Sequence, residues 1–168
     1  HQFEYAEQTD RVKCLVIQGS EDCFCAGNDL DDFIQCSADS DLAALKFIKL
    51  LSGFTKPLVA AVAGAAVGIG TTLLLHCDMV IAATNSNFKL PFTHLGLCPE
   101  AGASLLLTQK VGQNKAFELM VLGKAFNAEQ ACNYGIANQT CQASELLALA
   151  EEIALTIAKL PVESVMTS

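Results

Sequence analysis

The chain has 168 residues, of which 52% are hydrophobic and 17% charged, and its net charge is −8. That supplies enough apolar material for the core of one domain and excludes an intrinsically disordered chain. The acidic balance argues against general binding to nucleic acid or anionic membranes, although Lys56 and Lys89 remain as local basic groups for an anionic ligand.

The opening HQFEYAEQTDR is polar and lacks the basic start and apolar stretch of a secretory signal. Val12–Ser20 reads as a short buried strand between Arg11 and a turn at Gly19. EDCFCAGNDLDDF reads as a loop with Gly27-Asn28 as turn chemistry, Asn28 or Asp29 capping a short helix, and Asp31-Asp32 as a solvated face. Asp41–Phe54 has apolar residues at helical spacing (Leu42, Leu45, Ile48, Leu51), with Asp41 as N-cap and Gly53 as stop.

KPLVAAVAG is a second buried strand with Pro57 at its edge, AAVGIG a turn, and TTLLLHC the start of a buried helix. The uncharged run Pro57–Leu75 is nearly long enough to span a bilayer. Its glycines, its central threonines and the closing Asp78 favour strand, turn and helix, with a membrane span as the alternative. Asp78–Thr84 is a third strand, and Ser86–Phe92 a short edge strand broken by Pro91. After a loop from Gly96 to Pro99, four helices follow. AGASLLLTQKVG ends at Gly112, and QNKAFELMVLG ends at Gly123. NAEQACNYG has Asn127 as N-cap and Gly135 as stop; ASELLALAEEIALTIAKL is capped by Ser144 and ended by Pro161. Strands followed by helices or turns, then a run of helices, give an α/β architecture with right-handed crossovers and an added helical region. Residues 1–168 read as one domain.

The eight cysteines are scattered, with no CxxC pair. Cys23 and Cys25 have no matching His/Cys pair for zinc. Reduced core thiols in an intracellular protein explain them better than a disulfide framework.

The glycines of GAAVGIG (Gly64, Gly68, Gly70) lie between a strand and a helix, where anion-binding turns are found. The spacing is neither the G-x-G-x-x-G fingerprint nor a P-loop. The cluster is either a turn that needs positive φ and close packing, or a set of N–H donors pointing into a site, as in an oxyanion hole. FCAGNDL is a second turn of this kind, and turns after two parallel strands share one sheet edge.

FCAGNDL, KPLVAAVAGAAVGIG, CDMVIAA, HLGLCPEAGAS and AFNAEQACNYGIAN, in this order, resemble the crotonase (enoyl-CoA hydratase/isomerase) superfamily from Val12 to Pro161. The resemblance implies a crotonase-like spiral of ββα turns with a C-terminal helical region, an acyl-CoA thioester as ligand, and a homotrimer or dimer of trimers. It implies an oxyanion hole made by the N–H groups of Ala26 and Ile69. It implies substrate contacts from Cys25, Gly27, Asn28, Asp29 and Leu30 on the first turn, Gly68 and Thr72 on the second, and Phe92 and Leu97 beyond the short strand. No metal or redox cofactor is expected, since coenzyme A is part of the substrate. The compartment implied is intracellular: cytoplasm in a bacterium, peroxisome or mitochondrion in a eukaryote. Family members carry a further segment before the first strand and further helices at the C-terminus, both expected to lie outside these residues.

Hydratases of the family hold their attacking water between two glutamates. The matching positions here are Thr72 and Phe92, neither of which is a carboxylate. The Δ3,Δ2-enoyl-CoA isomerases of peroxisomal type carry a single glutamate in a motif resembling PFTHLGLCPEAGAS, and its place is Glu100. The dienoyl-CoA isomerases also carry an acid there. Moving a double bond from C3 to C2 of a thioester needs a proton removed at C2 and one returned at C4, which one carboxylate can do. The dienolate oxygen needs N–H donors, each worth about 3–4 kcal/mol of barrier. Burial raises a glutamate toward a useful base pKa. The expectation is therefore a Δ3,Δ2-enoyl-CoA isomerase of fatty acid β-oxidation with Glu100 as acid/base. The alternatives are another crotonase-type reaction through the same enolate, or a domain that binds acyl-CoA or a partner without turnover. From pattern alone, Glu100 is a solvent-facing acid in a helical first turn. His76 reads as a satisfied core histidine, and His94 as loop structure.

Overall fold

A computed structural model describes residues 1–29 and 43–168. Leu30, Asp31, Asp32, Cys36, Asp41 and Leu42, and the short helix expected after Asn28, lie outside the described residues. The chain opens with α1 (Gln2–Gln8), a helix that its polar composition conceals. Its Phe3 packs edge-on against Phe47 and Phe54, with ring centroids 5.8 and 4.9 Å away. Then come β1 (Leu15–Gln18), β2 (Cys23–Cys25), α2 (Ala43–Ser52), β3 (Leu58–Val62), β4 (Ala65–Val67) and α3 (Ile69–Thr72), which runs into a 3-10 turn at Leu73–His76. β5 (Met79–Ala83), β6 (Asn87–Lys89) and a 3-10 turn at Thr93–Leu95 lead to α4 (Ala103–Val111) and α5 (Gln113–Val121). The remainder is β7 (Phe126–Asn127), α6 (Ala128–Asn133), β8 (Gln139–Cys141), α7 (Leu146–Ala158) and α8 (Val162–Thr167).

From β1 to β6, successive strands alternate between two sheets. One has the order β1-β3-β5-β8, all parallel; the other runs β2-β4-β6 in parallel with β7 antiparallel to β6. Each strand pair thus adds one strand to each sheet, which is the α/β spiral of ββα turns. The loop expected at EDCFCAGNDLDDF contains β2, and the turn expected at AAVGIG contains β4. Both strands are three residues long, too short for a period-2 pattern to register. β6 is not an edge strand, because it pairs with β4 on one side and β7 on the other, and Pro91 falls just beyond it. The terminal region is not purely helical, since β7 and β8 extend the two sheets.

The continuous apolar run of β3 is explained by burial on both faces. Leu58, Ala60 and Val62 join the main core with Phe88, Leu90 and Leu107. Val59, Ala61 and Ala63 face Leu146, Ala150 and Ala154 of α7. Those three recur every four residues, so one helical stripe covers the sheet. Asn127 caps α6 as expected, its side chain accepting from Gln130 N while Gln130 returns the bond. Ser144 does not cap α7. It lies in a 3-10 turn, and the capping box there joins Gln142 and Glu145. Among the described residues, no helix is long and apolar enough to cross a membrane.

Candidate active site

β2 and β4 are parallel neighbours, with Cys25 in register with Ala66. The residues following both strands therefore emerge at the same sheet edge: Ala26 after β2, Gly68 and Ile69 after β4. Gly68 holds φ +56 and ψ −117, a region that a Cβ disfavours. Its carbonyl accepts from the N–H groups of Thr71 and Thr72, so α3 starts directly after the turn. Ile69 opens the helix, where an N–H has no intrahelical acceptor. Gly70 lets α3 press onto β2, since a Cβ there would stand 2.5 Å from the Cys25 carbonyl oxygen. Ala26 and Ile69 both line a cavity of about 360 Å³.

The rest of the wall is mostly apolar. α2 contributes Ala44, Leu45 and Ile48, and the segment after β6 contributes Pro91, Phe92, Leu95 and Leu97. The helical spacing of α2 predicted an apolar face but not its division: Leu51 enters the core while Leu45 and Ile48 face the cavity. Cys98 also lines it.

Glu100 is the acid of this cavity. It is not in a helical first turn, because α4 begins three residues later, and Glu100's own carbonyl accepts from Ala103 N at 2.9 Å. Between them, Ala101 and Gly102 are both left-handed, at φ +52 and +67. The side chain turns inward. Its Oε1 accepts a hydrogen bond from the Thr72 hydroxyl at 2.6 Å. Its Oε2 is buried and has no hydrogen-bond partner among the described residues. Burial pushes the carboxyl above its ordinary value of 4.5; the Thr72 hydrogen bond, and then the field of His76, oppose the rise. A carboxylate with one tethered oxygen and one unpartnered oxygen, in an apolar cavity beside two strand-end turns, is equipped to exchange a proton with a bound molecule.

Of the predicted site residues, Glu100, Ala26, Ile69, Gly27, Asn28, Gly68, Phe92 and Leu97 line this one cavity. Thr72 is not among the lining residues. It is 0% exposed and stands behind the carboxylate, with its hydroxyl on Glu100. Cys25 is absent from the wall because its side chain packs toward Gly70. Asp29 is exposed, also off the wall, and Leu30 lies outside the described residues. His94 is exposed and sits against Gly123. His76 is hydrogen-bonded, as expected, but it is half-buried and not a core residue, and its partner is the Ala101 carbonyl in the Glu100 loop, at 2.7 Å. Among the described residues, no group of three or more His, Cys, Asp or Glu side chains is placed to hold a metal ion.

Residues 1–167 match the family model described as enoyl-CoA hydratase/isomerase. The chain is 34% identical over 167 residues to the 1,2-epoxyphenylacetyl-CoA isomerase of Escherichia coli K12, covering 95% of this chain and 64% of that protein. It is 36% identical over 167 residues to enoyl-CoA delta isomerase 2 of Rattus norvegicus, covering 95% and 43%. Among solved structures, a putative enoyl-CoA hydratase/carnithine racemase from Magnetospirillum magneticum AMB-1 superposes with a TM-score of 0.93 at 40% identity, covering 98% of this chain and 66% of that one. The chain thus spans less than two thirds of the length of these two curated relatives. The family model covers nearly the whole chain and the backbone superposes on a solved member, so the chain belongs to the enoyl-CoA hydratase/isomerase family of the crotonase superfamily.

Proposed function

We propose that this protein moves the double bond of a 3-enoyl-CoA thioester to the 2-position, with Glu100 as the single acid/base. The observation that carries the reading is the Glu100 carboxylate itself: one oxygen held by Thr72, the other buried without a partner, at the wall of an apolar cavity. The thioester oxygen rests between the N–H groups of Ala26 and Ile69. Glu100 takes a proton from C2, and the C2–H electron pair moves into a dienolate that places negative charge on that oxygen. The same carboxyl then returns its proton to C4. Atoms are conserved, no oxidant or reductant is needed, and the base is regenerated.

Hydration would need a second group to hold and activate water. Thr72 is committed to Glu100, and Phe92 presents a ring to the cavity. Assembly as a homotrimer belongs to the same reading. Leu105, Phe117 and Leu122, on or just after α4 and α5, are each about 60% exposed and suit a subunit contact.

The test is Glu100→Gln assayed on 3-enoyl-CoA, 2-enoyl-CoA and dienoyl-CoA thioesters. Loss of a positioned general base lowers turnover by about 10²- to 10⁴-fold. Equal isomerisation by parent and variant would show that Glu100 is not the base. Turnover of another thioester in place of 3-enoyl-CoA would assign a different reaction to the same enolate chemistry.

A further inference from the structure

We propose that His76 is a positioning residue for Glu100, acting through the main chain of Ala101 and not through the substrate. The inference rests on the reading of Glu100 as the base. A carbonyl oxygen can only accept, so the 2.7 Å contact requires that His76 Nε2 carry the proton and donate it to Ala101 O. Ala101 is the residue immediately after Glu100. Among the described residues it is the one non-glycine residue with positive φ, at +52. An L-residue leaves that conformation unless its surroundings hold it there. Gly102, also left-handed, adds no stiffness of its own. The Ala103 N–H bond to the Glu100 carbonyl closes the turn, and the His76 hydrogen bond holds the Ala101 carbonyl within it.

Thr72 and His76 are four residues apart on the α3 and 3-10 segment, one holding the carboxylate and the other the peptide just beyond it. The same short segment therefore grips Glu100 from two sides. His76 has no place in the wall of the catalytic cavity. Its ring borders a different cavity, of about 460 Å³, lined by Pro57, Asp78 and Met166 among others. Its neighbours Leu73, Leu74 and Leu75 are buried and apolar. A polar ring at this one position of the segment is explained by the carbonyl that it reaches.

The experiment compares His76→Gln and His76→Phe in the full chain, with 3-hexenoyl-CoA as probe and circular dichroism to verify folding. Glutamine carries an amide N–H to about the place of Nε2; phenylalanine keeps the ring and loses the donor. We expect His76→Gln to keep kcat within about threefold of the parent. His76→Phe should lose about 10- to 100-fold in kcat with KM nearly unchanged, because a misaimed base slows chemistry without weakening binding. Parent-like kcat in His76→Phe overturns the proposal, and so does an equal loss in both variants. If His76→Phe fails to fold, His76→Asn replaces it. Its amide stops short of the carbonyl, so it must lose kcat as phenylalanine would, and parent-like turnover there also overturns the proposal. Glu100→Gln run alongside separates the two failures. An inactive Glu100→Gln with an unaffected His76→Phe rejects only the positioning role, whereas an active Glu100→Gln rejects the base itself.

Discussion

The Thr72 hydroxyl donates to Glu100 Oε1 at 2.6 Å, joining a fully buried threonine on α3 to a carboxylate 28 residues away. Where the sequence resemblance places an acid of the hydratases, this chain carries a hydrogen-bond donor to Glu100. A hydrogen bond to a charged group is worth about 1.5–3 kcal/mol. Thr72→Val removes it at nearly constant volume. The expected result is a loss of about tenfold or more in kcat, and an acid limb of the pH–rate profile moved to higher pH, because the bond holds the Glu100 pKa down. Thr72→Ser should keep the limb near that of the parent. An unmoved limb in Thr72→Val would dissociate Thr72 from the base.

The raised pKa of Glu100 links activity and stability in opposite directions. As the proposed base, Glu100 must be ionised, so the rate is expected to rise with pH through the raised value. Between the ordinary and the raised pKa, the folded chain binds more protons than the unfolded chain. Stability from this group is therefore present at low pH and lost as pH rises through that window. Glu100→Gln abolishes the titration. Its melting temperature relative to the parent should improve as pH rises from the ordinary carboxylate value of 4.5 through the raised one. Calorimetry across that range decides the point, and a difference that stays flat contradicts the assigned shift.

Gly70 sets the distance between the two strand-end turns. In Gly70→Ala, the new methyl meets the Cys25 carbonyl oxygen at 2.5 Å and the Cys25 Cβ at 2.8 Å, and both neighbours are held in a sheet. Overpacking of this kind costs about 1–3 kcal/mol. On the proposed reading of Ala26 and Ile69 as the oxyanion donors, displacing one of them should lower kcat/KM by about 100-fold. Denaturant titration and steady-state kinetics read the two effects. Unchanged kinetics would mean that the spacing of Ala26 and Ile69 does not govern the reaction.

Phe88 anchors β6 in the centre of its sheet. Its ring is 0% exposed and stacks on Phe126 of β7, with centroids 5.2 Å apart and planes at 17°. Phe88→Ala should cost about 3–5 kcal/mol, measured by urea unfolding. A smaller loss would show that β6 is held by its ladder and not by this pair.

The buried strands were legible from sequence because β3 and β5 are sandwiched between two cores and read as unbroken apolar runs. The cap at Asn127 and the glycine stops were legible because their chemistry is local. The family motifs identified Glu100, Ala26 and Ile69, which the structure places on one cavity. α1, β2, β4, β7 and β8 were not legible. These elements are short or polar, and sheet partners distant in the chain stabilise the strands.

Residue pattern and family resemblance were enough for the fold class, the glycine turns and Glu100 as the candidate carboxylate. Those features reside in residue identity and local spacing. The partners of Thr72 and His76 emerged from the folded chain alone. Each touches the Glu100 loop from a segment more than 20 residues away, Thr72 through the side chain of Glu100 and His76 through the carbonyl of Ala101. Pattern treats a buried threonine and a histidine in an apolar helix as packing. Hydrogen bonds have direction and a short reach, so their partners become known only when the chain has brought donor and acceptor together.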